Sequence, residues 1–493
     1  GLGSATTGSL QLSLYEDAQL IEQTSKDTIN YVFRPSDNQE QVVFSLIADN
    51  GEGLSDTTTT VVVVRPDELS SIPRPEQTQD GIHYVSDNSV LLSLFAPYKD
   101  FVYVLGDFND WTPTADYLMH KETQGADSTW FWLEIDGLTP GQEYAFQYLV
   151  DGELRIADPY SELTLHPDDD PYIPSNIYPD IPAYPYGKTS FSVGVLQPGA
   201  NEYAWYSTNY ERPETKDLVI YELLLRDFLE GSSYQTLIDT LDYLDRLGVT
   251  AIELMPVNEF EGNLSWGYNP AFHLALDKYY GTRNTFKAFV DAAHSRGIAV
   301  ILDMVLNHAF GRSPIIRLWN EGDYGAPTSE NPYANSIAKH PYNVGYDLNH
   351  ESAATRYFSK RVMKYWLEEY NIDGFRFDLS KGFTQVDNLN DVGAWGSYDA
   401  SRIAIWKDYN NFIRSIDSTA YVILEHFADN SEEKALVNEG MLIWGNMNHE
   451  YNEATMGYNS DLRGVLASQR GFSKRNLIGY MESHDEQWLM FKN

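Results

Sequence analysis

Four short stretches in the second half of this chain bring charged side chains to the end of strand-like apolar runs. They are DMVLNH at 303–308, GFRFD at 374–378, VILEH at 422–426 and ESHDE at 482–486. Helical patterns lie between such runs. LVIYELLLR (218–226) and VTAIELMP (249–256) read as strands, and residues 233–247 between them show helical spacing with Gly248 as the stop. Residues 285–296 read as a helix ending at Gly297, ahead of the strand IAVILDMV (298–305). A long helix over 353–370 leads into IDGFRFDL, and another over 402–416 leads into AYVILEH. Repeated βα units give a parallel sheet with right-handed crossovers. Charged residues recurring where the strands stop are the pattern of a (β/α)8 TIM barrel, whose site sits at the strands' C-terminal face. No βα turn carries a glycine-rich phosphate loop, which weakens a doubly wound nucleotide-binding sheet.

With 493 residues the chain is expected to hold two to four domains. Residues 1–75 are rich in Thr, Ser, Val and Asp. Their runs 41–47 and 57–64, separated by Asp49, Asn50 and Gly51, read as strands of an immunoglobulin-like β-sandwich. Pro66, Pro73 and Pro75 mark a linker. Over 76–186, strands recur at 89–96, 101–105, 129–135 and 144–150 with turn signals between them, which predicts a second β-sandwich. A linker at 187–215 precedes the catalytic β/α barrel at 216–493. The chain starts at Gly1 and stops at Asn493 soon after the fourth motif. The expectation is a removed amino terminus and a barrel truncated before its last strand and helices.

Charge narrows the partners. Lys and Arg number 34 against 72 Asp and Glu, a net charge of −38, which argues against nucleic acid and anionic membrane. Neutral sugar polymers make no cationic demand, and 35 Tyr and 11 Trp supply rings that stack on sugars or fill cores. Cysteine is absent, so disulfides and thiolate metal sites are excluded. No apolar run approaches the roughly 20 residues of a membrane span.

Cleaving a glycosidic bond takes two carboxyl groups, one protonated and one ionised. Asp378 lies two residues from Arg376 on one strand face, where the guanidinium is expected to hold it ionised. Glu425 ends an apolar strand, a setting expected to raise its pKa and suit it to acid work. Asp485, beside His484, adds a third carboxylate. Singly, each reads as an ion pair or a solvated strand end; their joint order points to catalysis.

The segment from about 216 to 493 resembles glycoside hydrolase family 13, the α-amylase family. DMVLNH, GFRFDLSK, the Glu425 strand and ESHD resemble its four signatures, and YDLN at 346–349 an auxiliary one. WGYNP at 266–270 and IYELLLRDF at 220–228 resemble the pullulanase, isoamylase and branching-enzyme side of that family. Upstream, VYVLGDFNDW at 102–111 and YLVDGELRIADPY at 148–160 resemble carbohydrate-binding family 48, with Trp111, Trp130 and Trp132 as rings that either stack on glucose or fill the sandwich core.

The resemblance implies Asp378 as nucleophile, Glu425 as general acid/base and Asp485 as a binder of sugar hydroxyls. It implies that Arg376 orients Asp378, that His308 and His484 bond the glucose at the cleavage point, and that Tyr268 stacks beneath it. Asn307 and Asp347 match positions that hold a structural Ca²⁺ in many α-amylases, and oxygen ligands suit that ion. Lys381 matches an α-amylase lysine beyond the scissile bond, whereas Gly382 stands where α-amylases usually have histidine. Following Lys381, the expected activity is retaining α-1,4 cleavage of starch-like glucans or maltooligosaccharides. The alternatives are a branching enzyme or other transglycosylase, a pullulanase-type debranching enzyme, and a catalytically silent glucan-binding protein. The expected location is extracellular, cell-surface or periplasmic, in a bacterium.

Overall fold

Seven runs of four to six mostly apolar residues form one parallel sheet in a computed structural model that describes residues 10–492 except 37–38, 40, 65–68 and 126. They are β1 (Ile220–Leu223), β2 (Ala251–Leu254), β3 (Ala299–Met304), β4 (Gly374–Phe377), β5 (Tyr421–Leu424), β6 (Leu442–Asn446) and β7 (Leu477–Tyr480). Their spatial order is their chain order, as successive right-handed crossovers require. Residues β2 to β5 are wholly buried, which is why they read as continuous apolar runs and not as alternating ones. One core cluster joins Ala251, Ala299, Ile301, Tyr421, Ile423, Leu442 and Trp444.

The crossover helices begin and end where side chains satisfy their free backbone groups. Ser233 caps Tyr234–Leu247 by accepting from Thr236 N, and Gly248 at φ 84° ends it in the left-handed turn glycine favours. Leu237, Leu241 and Leu244 give that helix its buried stripe. Thr282 caps Arg283–His294, and Asp399 caps Ala400–Ile416 through Ser401 N and Arg402 N. Between β1 and β7 lies a cavity of about 480 Å³ lined by Glu222, Glu253, Trp444 and Tyr480 among others. Among the described residues the sheet has seven strands and not the eight of the expected barrel.

The chain divides into two compact units, 1–158 with 185–200 and 159–184 with 201–493. This departs from the boundaries expected at 75, 186 and 215. The segment 159–184 falls in the unit that holds the sheet of seven strands, where Asp169 pairs with Arg312, and Asp170 and Glu259 flank the buried Lys278. The supposed linker contributes the strand Val193–Leu196, paired with Tyr144, Ala145 and Phe146.

In the first unit, Gln11–Glu16, Gln19–Thr24, Gln41–Asp49 and Ser55–Val63 form one antiparallel sheet. The expected sandwich needs two facing sheets, and the described residues give one. Ser55–Val63 is exposed along nearly its whole length because its run of four threonines supplies no apolar face. Pro66 lies outside the described residues. Residues 81–196 give two antiparallel sheets, one of Gly81–Ser86, Ser89–Phe95, Ser128–Ile135 and His120–Gly125, the other built on Tyr144–Val150. Trp111 is only 5% exposed and bonds Asp107 through Nε1, so it fills the core. Trp130 lies under the Arg74 guanidinium at 4.3 Å, and Trp132 is tied to the Ile72 carbonyl.

One buried carboxylate fastens the segment before β1 to the sheet. Asp373, wholly buried, accepts from Tyr210 Oη (3.0 Å), Arg212 Nε (2.7 Å), His294 Nε2 (2.8 Å) and Val300 N (2.7 Å). Tyr210 stacks flat on His294 at 3.9 Å. Asp373→Ala takes the acceptor from four donors at once, although Arg212 keeps Asp417 and Thr419, and should cost about 3–5 kcal/mol. Urea unfolding followed by tryptophan fluorescence checks it, and a loss under about 1 kcal/mol contradicts this role.

Candidate active site

Strand β4 delivers Arg376 into the sheet's interior, fully buried, because its side chain and that of Asp378 point to the same face. Its guanidinium stacks on Trp444 at 4.2 Å and meets three carboxylates. Nη1 donates to Asp303 Oδ1 at 2.9 Å and Oδ2 at 3.0 Å, and to Asp378 Oδ1 at 2.9 Å. Nη2 lies 3.1 Å from Glu425 Oε2, an ion pair without the alignment of a hydrogen bond. Burial opposes the charge, but Asp303, Glu425 and Asp378 hold Arg376 protonated. The single cation therefore ties the ends of β3, β4 and β5 together.

Asp378 is also fixed from the other side, Asn307 Nδ2 donating to its Oδ2 at 2.7 Å. Glu425 accepts from Leu379 N at 2.7 Å. Burial first, then the negative charges of Asp378 and Asp485, push the Glu425 carboxyl up to about 7 against the pull of Arg376 and Leu379 N–H. A raised pKa was the sequence-based expectation. Burial likewise raises Asp303 to about 6, even with Arg376 beside it.

On the loop after β7, His484 receives the strongest hold. Its N and Nδ1 bond the two oxygens of Glu222 on β1 at 3.0 and 2.7 Å, and Nε2 meets Tyr268 Oη at 2.8 Å. Burial works to lower its pKa, but the Glu222 hydrogen bond and charge carry it to about 9, so the ring is cationic at neutral pH. Tyr268 stacks on this ring at 5.1 Å and donates to Asp303 Oδ2 at 2.7 Å. His308 sits between Asn307 Oδ1 (2.5 Å) and the Tyr268 carbonyl (2.7 Å). Both nitrogens of each histidine are thus engaged within the protein. Asp485 is half-exposed, 3.4 Å from His484 Nε2.

Lys381 lies apart from this cluster. Its ammonium sits 4.0 Å over the Trp395 ring and donates to the Phe427 carbonyl at 3.0 Å. A Cβ at Gly382 would stand 2.9 Å from His340 Nε2, so an imidazole from another loop fills the space that a side chain at 382 would need.

The calcium expectation meets a donor set that does not fit. Asn307 spends its amide nitrogen on Asp378 and its oxygen on His308. Asp347 Oδ2 accepts from Asn335 Nδ2 and Lys339 N, while Oδ1 faces His340 Nε2 at 3.4 Å. Six to eight convergent oxygens are what Ca²⁺ requires, and no group of three metal-binding side chains occurs among the described residues. Incubation with EDTA should leave the melting temperature within about 1 °C of the untreated value; a fall of several degrees, restored by Ca²⁺, contradicts this reading.

The alpha-amylase catalytic-domain profile matches residues 225–314 and 339–487, and the carbohydrate-binding module 48 profile matches 80–161. The chain belongs to the α-amylase family, glycoside hydrolase family 13. Among curated members of this family, it is 29% identical over 295 residues to a malto-oligosyltrehalose trehalohydrolase of Saccharolobus solfataricus, covering 60% of this chain and 44% of that protein. It is 27% identical over 410 residues to a 1,4-alpha-glucan branching enzyme GlgB of a Jannaschia species, covering 78% and 52%. The chain spans about half the length of these curated relatives. The fold is that of the pullulanase of Paenibacillus barengoltzii, with TM-score 0.62, 18% identity, and coverage of 85% and 68%.

All the residues expected at an α-amylase-family site lie at the C-terminal ends of the strands or on the segments that follow, Asp347 included, which pairs with His308 in a short ladder. The sequence reading passed over Glu222, Asp303 and Trp444 as site members. Asp303 opened the first motif and Glu222 sat within an apolar strand, and an acidic residue inside such a run was the available signal.

Proposed function

We propose that this chain is a retaining α-glucan hydrolase that cleaves α-1,4 bonds of starch-like polysaccharides or maltooligosaccharides. The observation that carries the reading is the pair Asp378 and Glu425 bridged by one guanidinium, with Glu425 lifted to about 7. Asp378 attacks the anomeric carbon while Glu425 gives its proton to the departing glycosidic oxygen. The resulting carboxylate of Glu425 then takes a proton from water, which releases the sugar from Asp378 with its α configuration restored. Tyr268 and the cationic His484 frame the reacting ring, and Asp485 takes its hydroxyls. Lys381, which matches the α-amylase lysine beyond the scissile bond, supports the α-1,4 choice. We also read the working sheet as a closed (β/α)8 barrel, its eighth strand filling the cavity where a buried Glu253 oxygen lacks a hydrogen-bond partner.

Glucan transfer is the second reading, favoured by the GlgB likeness. Product analysis on amylose and pullulan separates them. Hydrolysis gives new reducing ends from amylose, α-anomeric by NMR at early times, without branch points. New α-1,6 branches establish transfer, cleavage of pullulan with amylose untouched establishes debranching, and β-anomer release overturns the retaining mechanism.

A further inference from the structure

Behind the site lies a chain of wholly buried polar side chains that the reaction itself does not use. Ser380, Arg402, His426 and Glu432 are all 0% exposed. Arg402 grips the Glu432 carboxylate with two parallel bonds, Nε to Oε1 at 2.7 Å and Nη2 to Oε2 at 2.8 Å. Glu432 Oε1 also meets His426 Nε2 at 2.8 Å, and His426 Nδ1 meets Ser380 Oγ at 2.9 Å. Serine, histidine and glutamate in this order copy the contacts of a hydrolytic triad. The hydroxyl is buried, however, and lies 2.7 Å from the Glu425 carbonyl, so it is no nucleophile.

Proton bookkeeping fixes what the chain does. Hydrogen bonds from His426 and Arg402 hold Glu432 ionised although burial opposes it, and burial keeps His426 neutral. An ionised Glu432 only accepts, so the imidazole carries its proton on Nε2 and leaves Nδ1 to accept. The single Ser380 hydroxyl proton then serves either Nδ1 or the Glu425 carbonyl, which also receives Ser380 N at 3.0 Å. Arg402 Nη1 reaches one residue further, to the Lys381 carbonyl at 3.1 Å. The turn after Asp378 is thus held from behind at two successive residues.

That turn needs holding. Leu379, between Asp378 and Ser380, has φ 42°, a left-handed conformation costly for a side chain of this size. Its N–H is the group that donates to Glu425 Oε2. We propose that Glu432, acting through Arg402, His426 and Ser380, is a positioning residue that keeps the strained Leu379 N–H aimed at the acid carboxyl of Glu425. The inference rests on the reading of Glu425 as general acid. A donor aimed at a carboxylate favours its charged form. Other charged or titratable groups facing Glu425 are Arg376, Asp378, Asp485, Lys381 and Tyr480, and none of these is bonded by Glu432.

The test compares wild type, Glu432→Gln and Ser380→Ala on maltohexaose across pH, with melting curves to verify folding. Loosening the turn withdraws the Leu379 donor, so the alkaline limb of kcat/KM should move up by about half a pH unit or more in both variants. The same variants should lose about tenfold in kcat on maltohexaose but under about threefold on α-maltosyl fluoride, whose leaving group needs no proton. Folded variants with the alkaline limb at its wild-type pH overturn the proposal. If Glu432→Gln does not fold, Ser380→Ala decides alone, because it spares the Arg402–Glu432 pair. A Glu425→Gln control that keeps polymer activity shows instead that the acid has been misassigned, a separate failure.

Discussion

Asp378→Asn should slow turnover of a soluble maltooligosaccharide by more than about a thousandfold while the fold persists. The amide matches the carboxylate in shape but offers no nucleophilic charge to the anomeric carbon. Folding tolerates the change because Arg376 keeps its two bonds to Asp303 and its contact with Glu425. Asn307 is the group that loses most, since its Nδ2 now faces an amide at the Oδ2 position. An unchanged melting temperature with the rate lost is the expected pair of results. A variant keeping a tenth of the wild-type rate would falsify the nucleophile assignment.

Glu425→Gln should be as damaging on polymer and far milder on an activated glycosyl fluoride. Gln cannot deliver a proton, whereas fluoride departs without one, so formation of the glycosyl-enzyme survives on the second substrate. Equal losses on both substrates would show that another group is the acid. The same substitution has an opposite effect on stability. Glu425 in the folded protein titrates near 7, above its unfolded value near 4.5. Its folded state therefore favours the protonated form: the stability associated with that proton is fully present below about 4.5 and is lost as pH rises through 7. The loss amounts to about 3 kcal/mol above pH 7. Glu425→Gln should melt above wild type at pH 8 and level with it near pH 4.5. A wild-type advantage at pH 8 would show that Glu425 is held in its charged form.

Much of this was legible in the chain because buried parallel strands announce themselves locally. Buried parallel strands read as apolar runs, and Arg376, Asp378 and Glu425 sit at their ends. Glu425's raised pKa followed from its apolar approach alone. What escaped were matters of distance along the chain. Glu222 precedes His484 by 262 residues, and only the course of the sheet from β1 to β7 brings their side chains within 2.7 Å. Trp444 looked like any aromatic of an apolar run until its ring lay under Arg376. The fate of Trp111 was equally hidden, because a tryptophan suited to stacking on a sugar is equally suited to a core. His340 explains the glycine at 382, a departure that sequence alone left without a cause.

The exchange of segments between the two units bears on how this protein can be cut apart. The chain leaves the first unit after residue 158, returns at 185 and leaves again at 200. A fragment ending at 158 would strip Tyr144–Val150 of its partner Val193–Leu196. One beginning at 201 would deprive Arg312 of Asp169 and leave Lys278 with Glu259 but without Asp170. No single scission therefore yields two whole modules.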